Sequence, residues 1–254
     1  MSSRVGAADA ALFLHSVKVP FDDPSVDALP DATRRAIARR WAERIRSELE
    51  VGLAFADLAG RLAAVGAEPA VVQLATDAAT QERAHAELCH LLAERYGGET
   101  VAMPSLESWE PVDFGLADER LEVLFQVAGM CCVNETIAGV WLRHCVGLSE
   151  SPIALAAHRM HLREEILHAR VGWAHLASDA VTPQMRQRLS ARLRELVQVN
   201  AEQWLQADKY VEEAVPGHGQ PSLEASRDVV RRAVEEVVVP GFAHLGVPYS
   251  RPRP

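Results

Sequence analysis

The chain is poor in several features, and each scarcity removes a class of protein. Its four cysteines, Cys89, Cys131, Cys132 and Cys145, form no Cys-x-x-Cys pair, so no rubredoxin-type iron centre is encoded. Adjacent Cys131 and Cys132 point to different sides of a helix, and all four sit in apolar stretches. Buried reduced thiols in a reducing cytosol are the expected state, and the protein reads as cytoplasmic. No His-Glu-x-x-His occurs, which excludes the common zinc-protease helix. The chain is short of positive charge. A formal net charge of -9 repels phosphate backbones and anionic bilayers, so neither nucleic acid nor a membrane is an expected partner. Arg34, Arg35, Arg39 and Arg40 cluster, but acids are interspersed and a solvated helix face is expected. The start of the chain lacks a basic, apolar-cored leader, and no run reaches about 18 uninterrupted apolar residues. Strand-like alternation is absent too.

What is present is helix. Residues 1–30, with Pro20, Pro24 and Pro30, read as an irregular lead-in, and residues 31–254 as a single helical domain. Six segments follow. The first runs from Asp31, a good cap, to about Gly66, and the second from about Pro69 to Tyr96, ahead of Gly97-Gly98. After a loop with Pro104, Pro111 and Gly115, the third spans about Ala117 to Val146. Ser151-Pro152 opens the fourth, to about Ser178, and Thr182-Pro183 opens the fifth, to about Ala214. The sixth starts at Ser222 and ends before Pro240-Gly241. Four of these are far longer than the mean helix of about 11–12 residues, and long helices with short loops mean an all-α bundle. The apolar faces of the last two segments either cover the bundle or form a homodimer interface; a homodimer is expected.

The chemistry is carried by Glu-x-x-His, which occurs as Glu82-Arg83-Ala84-His85 and as Glu165-Ile166-Leu167-His168. Residues three apart share a helix face, so carboxylate and imidazole can grip one ion together. Roughly one such pair arises by chance in a chain of this composition; here two lie mid-helix on separate segments. A carboxylate-bridged dimetal site needs, in addition, one Glu from each of two further helices. Glu135 is the only acid between residues 123 and 148, and burying it demands a positive neighbour. On the first segment, the stripe Trp41, Ile45, Leu49, Gly52, Ala56 puts Glu48 at its edge, with Glu50 as the fallback on the opposite side near Arg46.

The order Glu48, Glu82-His85, Glu135, Glu165-His168 resembles the ferritin-like di-iron carboxylate superfamily over roughly residues 38–178. The resemblance implies a ferritin-like four-helix bundle with two additional C-terminal helices, holding two iron ions, with manganese as an alternative. The run His161-Leu-Arg-Glu-Glu-Ile-Leu-His168 is similar to the fourth-helix motif of di-iron oxygenases, and His161, one turn before Glu165, resembles the extra ligand of the p-aminobenzoate N-oxygenase type. The resemblance implies that His161 binds the same iron as Glu165 or His168. The superfamily usually places Asp before each Glu-x-x-His as an acceptor that orients an imidazole; Gln81 and Glu164 stand there in this chain. The tyrosine of radical-generating ribonucleotide reductase subunits is replaced by Cys89, which either lines the pocket or packs as a structural thiol. The function implied is that of an O2-dependent oxygenase acting on a small organic molecule, with N-oxygenation of an amine favoured, and with O2, a small substrate and an electron donor as partners. A ferroxidase or iron-handling role and a non-catalytic scaffold are the alternatives.

Overall fold

A computed structural model describes residues 18–106, 110–206 and 211–249. Most of the lead-in, residues 1–17, lies outside the described residues. The all-α expectation holds among those described, where extended pairing is limited to an isolated bridge between Val215 and Gln220. Helix α1 spans Asp31–Ala64 and α2 Pro69–Gly97. Helix α3 covers Glu119–Leu148 as one continuous rod, in which Ala128–Glu135 is wound as a π-helix. Helix α4 is Pro152–Ala177 and α5 Pro183–Trp204. Helix α6 joins Leu223–Arg232, a π stretch Ala233–Val238 and a last turn Val239–His244.

Short turns make α1 antiparallel to α2 and α3 antiparallel to α4. The two hairpins face each other, with α2 against α4 and the first part of α3 against α1. Helices α5 and α6 pack outside, on α3. Helix α3 is long and apolar enough to cross a bilayer by length and composition, yet 78% of its most apolar window is buried inside the protein. Its apolarity is used as core. Three buried apolar clusters result: one between α1, α2 and α4 around Trp41, Ile45 and Leu92, one between α1, α2 and α3 around Phe55, Leu58 and Val127, and one where α5 and α6 cover α3 around Phe125, Leu193 and Phe242.

Several boundaries differ from the sequence expectation. Helix α5 stops at Trp204, ten residues before Ala214, because tertiary partners end it: the Arg227 guanidinium donates to the Leu205 carbonyl and the Trp204 indole N–H to Asn134. Helix α6 continues through Pro240-Gly241 instead of ending before them. A π turn absorbs residues that do not fit an α ladder, and one ends at Val238, two residues before Pro240. The expected caps also divide. Thr182 and Ser222 accept N–H bonds from Met185 and Ala225 as N-caps do, whereas Asp31 accepts from Arg34 instead. Ser151 does not cap α4 with its own side chain. Its hydroxyl donates to Asp23 (2.6 Å), and the same carboxylate oxygen accepts from the Ile153 N–H (3.1 Å), so the lead-in supplies the cap. Arg95 fastens that lead-in by donating to the Phe21 and Asp23 carbonyls and to the Asp27 carboxylate.

Candidate metal centre

Four long helices each bring a candidate metal-ligating acid to the interior at the same level. Glu48 comes from α1, Glu82 from α2, Glu135 from α3 and Glu165 from α4, and all four are buried. The helices can approach closely there because small residues stand at the crossings. A Cβ on Gly52, one turn past Glu48, would sit 3.3 Å from the Glu82 Cβ. A Cβ on Gly172 would meet Cys132 Sγ at 2.6 Å, Cys131 Cβ at 2.8 Å and the Cys132 backbone nitrogen at 2.8 Å, so α4 lies directly against the π-wound part of α3. That π stretch ends at Glu135. Wider winding rotates the following residues relative to an α-helix, and π turns often mark functional positions.

Two four-residue donor groups share two members. Glu48, Glu82, His85 and Glu165 form one, and Glu82, Glu135, Glu165 and His168 the other; within each group one ligand atom per residue lies within 4.8 Å of every other. Glu82 and Glu165 therefore stand between two positions, each completed by one further carboxylate and one imidazole. Mixed carboxylate and imidazole donors suit first-row divalent metals. The residues present thus fit a pair of ions, and the cluster is one that can hold metal. Glu50, the fallback on α1, pairs with Arg46 on the exposed side.

The imidazoles are oriented crosswise. His85 Nδ1 faces Glu82 (3.2 Å), and its Nε2 donates to Glu164 of α4 at 2.9 Å. His168 Nδ1 lies 3.0 Å from both Glu82 and Glu165, and its Nε2 donates to the Gln81 side-chain oxygen of α2 at 2.9 Å. Each Glu-x-x-His helix thus supplies the acceptor that holds the other helix's histidine, with Nδ1 turned to the cluster. The two supports differ in charge, since Glu164 is a carboxylate and Gln81 an amide.

His161 lies at the Glu48 end. It groups with Glu48 and Cys89, and its ring centroid is 4.3 Å from that of His85. It thus stands with Glu48, which belongs to the same donor group as Glu165, and not with His168. The reason is helical rise. Seven residues separate the two histidines, about 10 Å along the axis, with Glu165 between them. Nδ1 of His161 donates to the Ala157 carbonyl (3.0 Å), which leaves Nε2 as an acceptor 3.8 Å from Cys89 Sγ. Burial and the neighbouring His85 and Arg44 charges hold its pKa well below the usual histidine value, so it is neutral.

The electrostatics are those of a site short of cations. Burial raises the Glu48 carboxyl to about 7 against the opposing pull of Arg44. Glu135 is pushed well above its ordinary value by burial and by the Glu165 charge. Burial opposes charge on the two imidazoles, yet the carboxylates around them prevail: His85 is raised well above its ordinary value, and His168 to about 9. Glu82 goes the other way, because the bonds from both imidazoles outweigh its burial and hold it low. Protons here occupy the place that positive ions would take.

Arg44 is a residue the motif reading missed. Its guanidinium binds Glu48 Oε1 through Nε (3.0 Å) and Nη2 (2.6 Å) and lies over the Trp41 ring. The i,i+4 spacing of Arg44 and Glu48 on one helix is the signal that could have found it. Asn134 and Asn200 were missed as well. Asn134 donates to Asn200 (2.6 Å) and accepts from Trp204 (3.2 Å), which ties α5 to the turn that carries Glu135. No local signal marks them.

Neither a protein-family model, nor a curated protein, nor a solved structure matches the chain. The fold and the donor set therefore carry the functional reading on their own.

Proposed function

We infer that the protein is a ferritin-like non-haem di-iron oxygenase that uses O2 to oxidise a small organic substrate. N-oxygenation of an amine, as in natural-product biosynthesis, is the favoured subtype. The observation that supports this most is the sharing of Glu82 and Glu165 between two otherwise separate Glu-and-His groups. Accidental burial of four acids would be strongly unfavourable without such compensation. In this reading Glu48, Glu82, His85 and Glu165 hold one iron and Glu82, Glu135, Glu165 and His168 the other. When bound, the pair supplies the electrons for O2 reduction. Glu164 and Gln81 hold the imidazoles, and His161 offers an additional neutral nitrogen at the Glu48 position. Apolar walls keep water out: Phe55 packs on the His168 ring at 5.2 Å, Trp41 stacks on His161 at 6.0 Å, and Val127 and Cys131 are fully buried. The four cysteines are free and buried, in keeping with a reducing cytoplasm.

The test is metal content followed by turnover. Protein purified without O2 and loaded with Fe(II) is expected to hold about two irons per chain. It should consume O2 with a reductant and convert simple arylamines to N-oxygenated products. Oxidation of many Fe(II) equivalents with no organic product would assign a ferroxidase instead. Absence of bound metal, with Glu135→Ala as stable as the parent, would sink the dimetal reading.

A further inference from the structure

The only acids on α4 are Glu164 and Glu165, and both are buried in the cluster. All other formal charge on this helix is positive and faces outward. Arg159, Arg163 and Arg170 are exposed, and Ile166, 59% exposed, lies among them. Spacings of four, three and four residues put these side chains on one narrow stripe. Leu155, Leu162 and Leu167 flank it, half-buried. The chain as a whole carries a net charge of -9, so a stripe of like positive charge runs against the overall sign. Arg34, Arg46 and Arg231, on other helices, pair with Asp31, Glu50 and Asp228. Arg159 and Arg170 have no acid within ion-pair distance among the described residues.

The stripe is also joined to the donor cluster through bonded contacts. Arg163 Nη2 donates to Glu164 Oε1 at 2.9 Å, and Glu164 Oε2 accepts from His85 Nε2 at 2.9 Å. Two charge-assisted hydrogen bonds therefore join the outer face of α4 to an imidazole of the cluster.

We propose that this face of α4 is the docking surface for an acidic one-electron carrier protein of the iron–sulfur class. The proposal rests on the oxygenase reading, whose chemistry needs an external donor: substrate, O2, two electrons and two protons give the oxygenated product and one water. Each docking event would pass one electron from the carrier to the bound metal pair, so two events would serve one turnover. Charge complementarity selects the partner. The positive stripe attracts an acidic carrier and orients it, while the acidic remainder of the surface repels it. Ile166 and the flanking leucines give the small apolar contact suited to a transient electron-transfer encounter, which buries less than about 1,200 Å².

The test uses Arg159→Glu/Arg170→Glu, which leaves Arg163 and its bond to Glu164 in place, with an acidic plant-type [2Fe–2S] ferredoxin as probe. Binding is measured by titration calorimetry at ionic strengths of about 0.02 M and about 0.3 M, where screening differs strongly. Ferredoxin is expected to bind the parent at low salt, to weaken at high salt, and to bind the variant at least about tenfold more weakly. Reduction of the iron-loaded variant by ferredoxin should slow by a similar factor, while reduction by dithionite and the metal content stay unchanged. Equal binding and equal reduction of variant and parent would overturn the proposal, as would no binding to the parent at low salt. Stripe-dependent binding to phosphatidylglycerol–phosphatidylcholine vesicles would assign the face to a membrane and overturn it too. A parent dimer that the two substitutions convert to monomer would assign it to a second copy of the chain, with the same consequence. Failure of the underlying reading is seen separately, as a parent chain that retains no iron whatever ferredoxin does.

Discussion

Glu164 and Gln81 do the same job with different chemistry, and the difference should be measurable. Each accepts the Nε2 proton of a histidine from the facing helix, but only Glu164 brings a negative charge that makes its imidazole a stronger donor. Glu164→Ala is expected to weaken metal binding at the Glu48 position about 10- to 100-fold, and Glu164→Gln by less, because the amide still accepts the proton. Gln81→Ala should affect the His168 position in the same direction. Chelator competition followed by metal analysis distinguishes the cases: each Ala variant loses one ion well before the second, and simultaneous loss of both would contradict two separately supported positions. Asp23 acts at the same scale but on stability. Burial raises its carboxyl, but the bonds from Ser151, Ile153 and Ser25 prevail and lower it from 3.8 to about 2. A depressed acid stabilises the fold above its unfolded value, so this contribution is complete above about pH 4 and is lost as pH falls toward about 2. Asp23→Asn should cost about 1–2 kcal/mol at neutral pH and flatten that part of the acid transition, as read by urea unfolding across the pH range.

At the scale of elements, the π-wound stretch of α3 is the part that the rest of the fold holds in place. Gly172 lets α4 lie against it, and the Asn134–Asn200–Trp204 contacts fasten it from the α5 side. Gly172→Ala places a methyl group against the Cys132 backbone nitrogen, which cannot swing aside as a side-chain tip can. The variant should lose about 1–3 kcal/mol in denaturant unfolding and also bind the ion at the Glu135 position more weakly. Loss of stability with metal affinity untouched would show that the contact braces the fold without placing Glu135. These dependencies mark where the sequence becomes hard to read. Repeated Glu-x-x-His spacing and an isolated acid in an apolar helix point to Glu82, His85, Glu135, Glu165 and His168, because one helix face is a local property. The same periodicity locates the all-α segments and most of their starts. Which side of Glu165 holds His161, where α5 ends, and which residue caps α4 are set by contacts across long stretches of chain. Asp23 and Ile153 stand 130 residues apart, and no window of the sequence contains both.

For the molecule as a whole, protons occupy a buried cluster that could hold metal, and this couples stability to pH in a direction opposite to that of Asp23. Without metal, Glu48 and His168 are held above their ordinary values of 4.5 and 6.5, at about 7 and about 9. Groups with raised folded values stabilise the native state below their unfolded values and lose that contribution as pH rises through the folded ones. Glu82, held low, is already ionised in both states above about pH 5 and offers no compensation there. The lowered histidines, His158, His161 and His175, oppose this only up to their unfolded value near 6.5, so the chelated protein should become progressively less stable between about pH 7 and pH 9. Bound ions need the carboxylates ionised and the imidazoles with a free lone pair, so loading releases protons and becomes stronger over the same range. Binding to the native state alone raises its stability by mass action, about 4 kcal/mol for free metal at 1,000 times its dissociation constant. The gap in melting temperature between Fe(II)-loaded and chelated protein is thus expected to widen steadily from about pH 7 to pH 9 in differential scanning calorimetry without O2. In Glu82→Ala, which removes a carboxylate common to both donor groups, the gap should close at every pH. A parent protein whose loaded and chelated forms melt together at pH 8 would show that the buried acids are neutralised by protons alone, and that the cluster is a polar core without a metal.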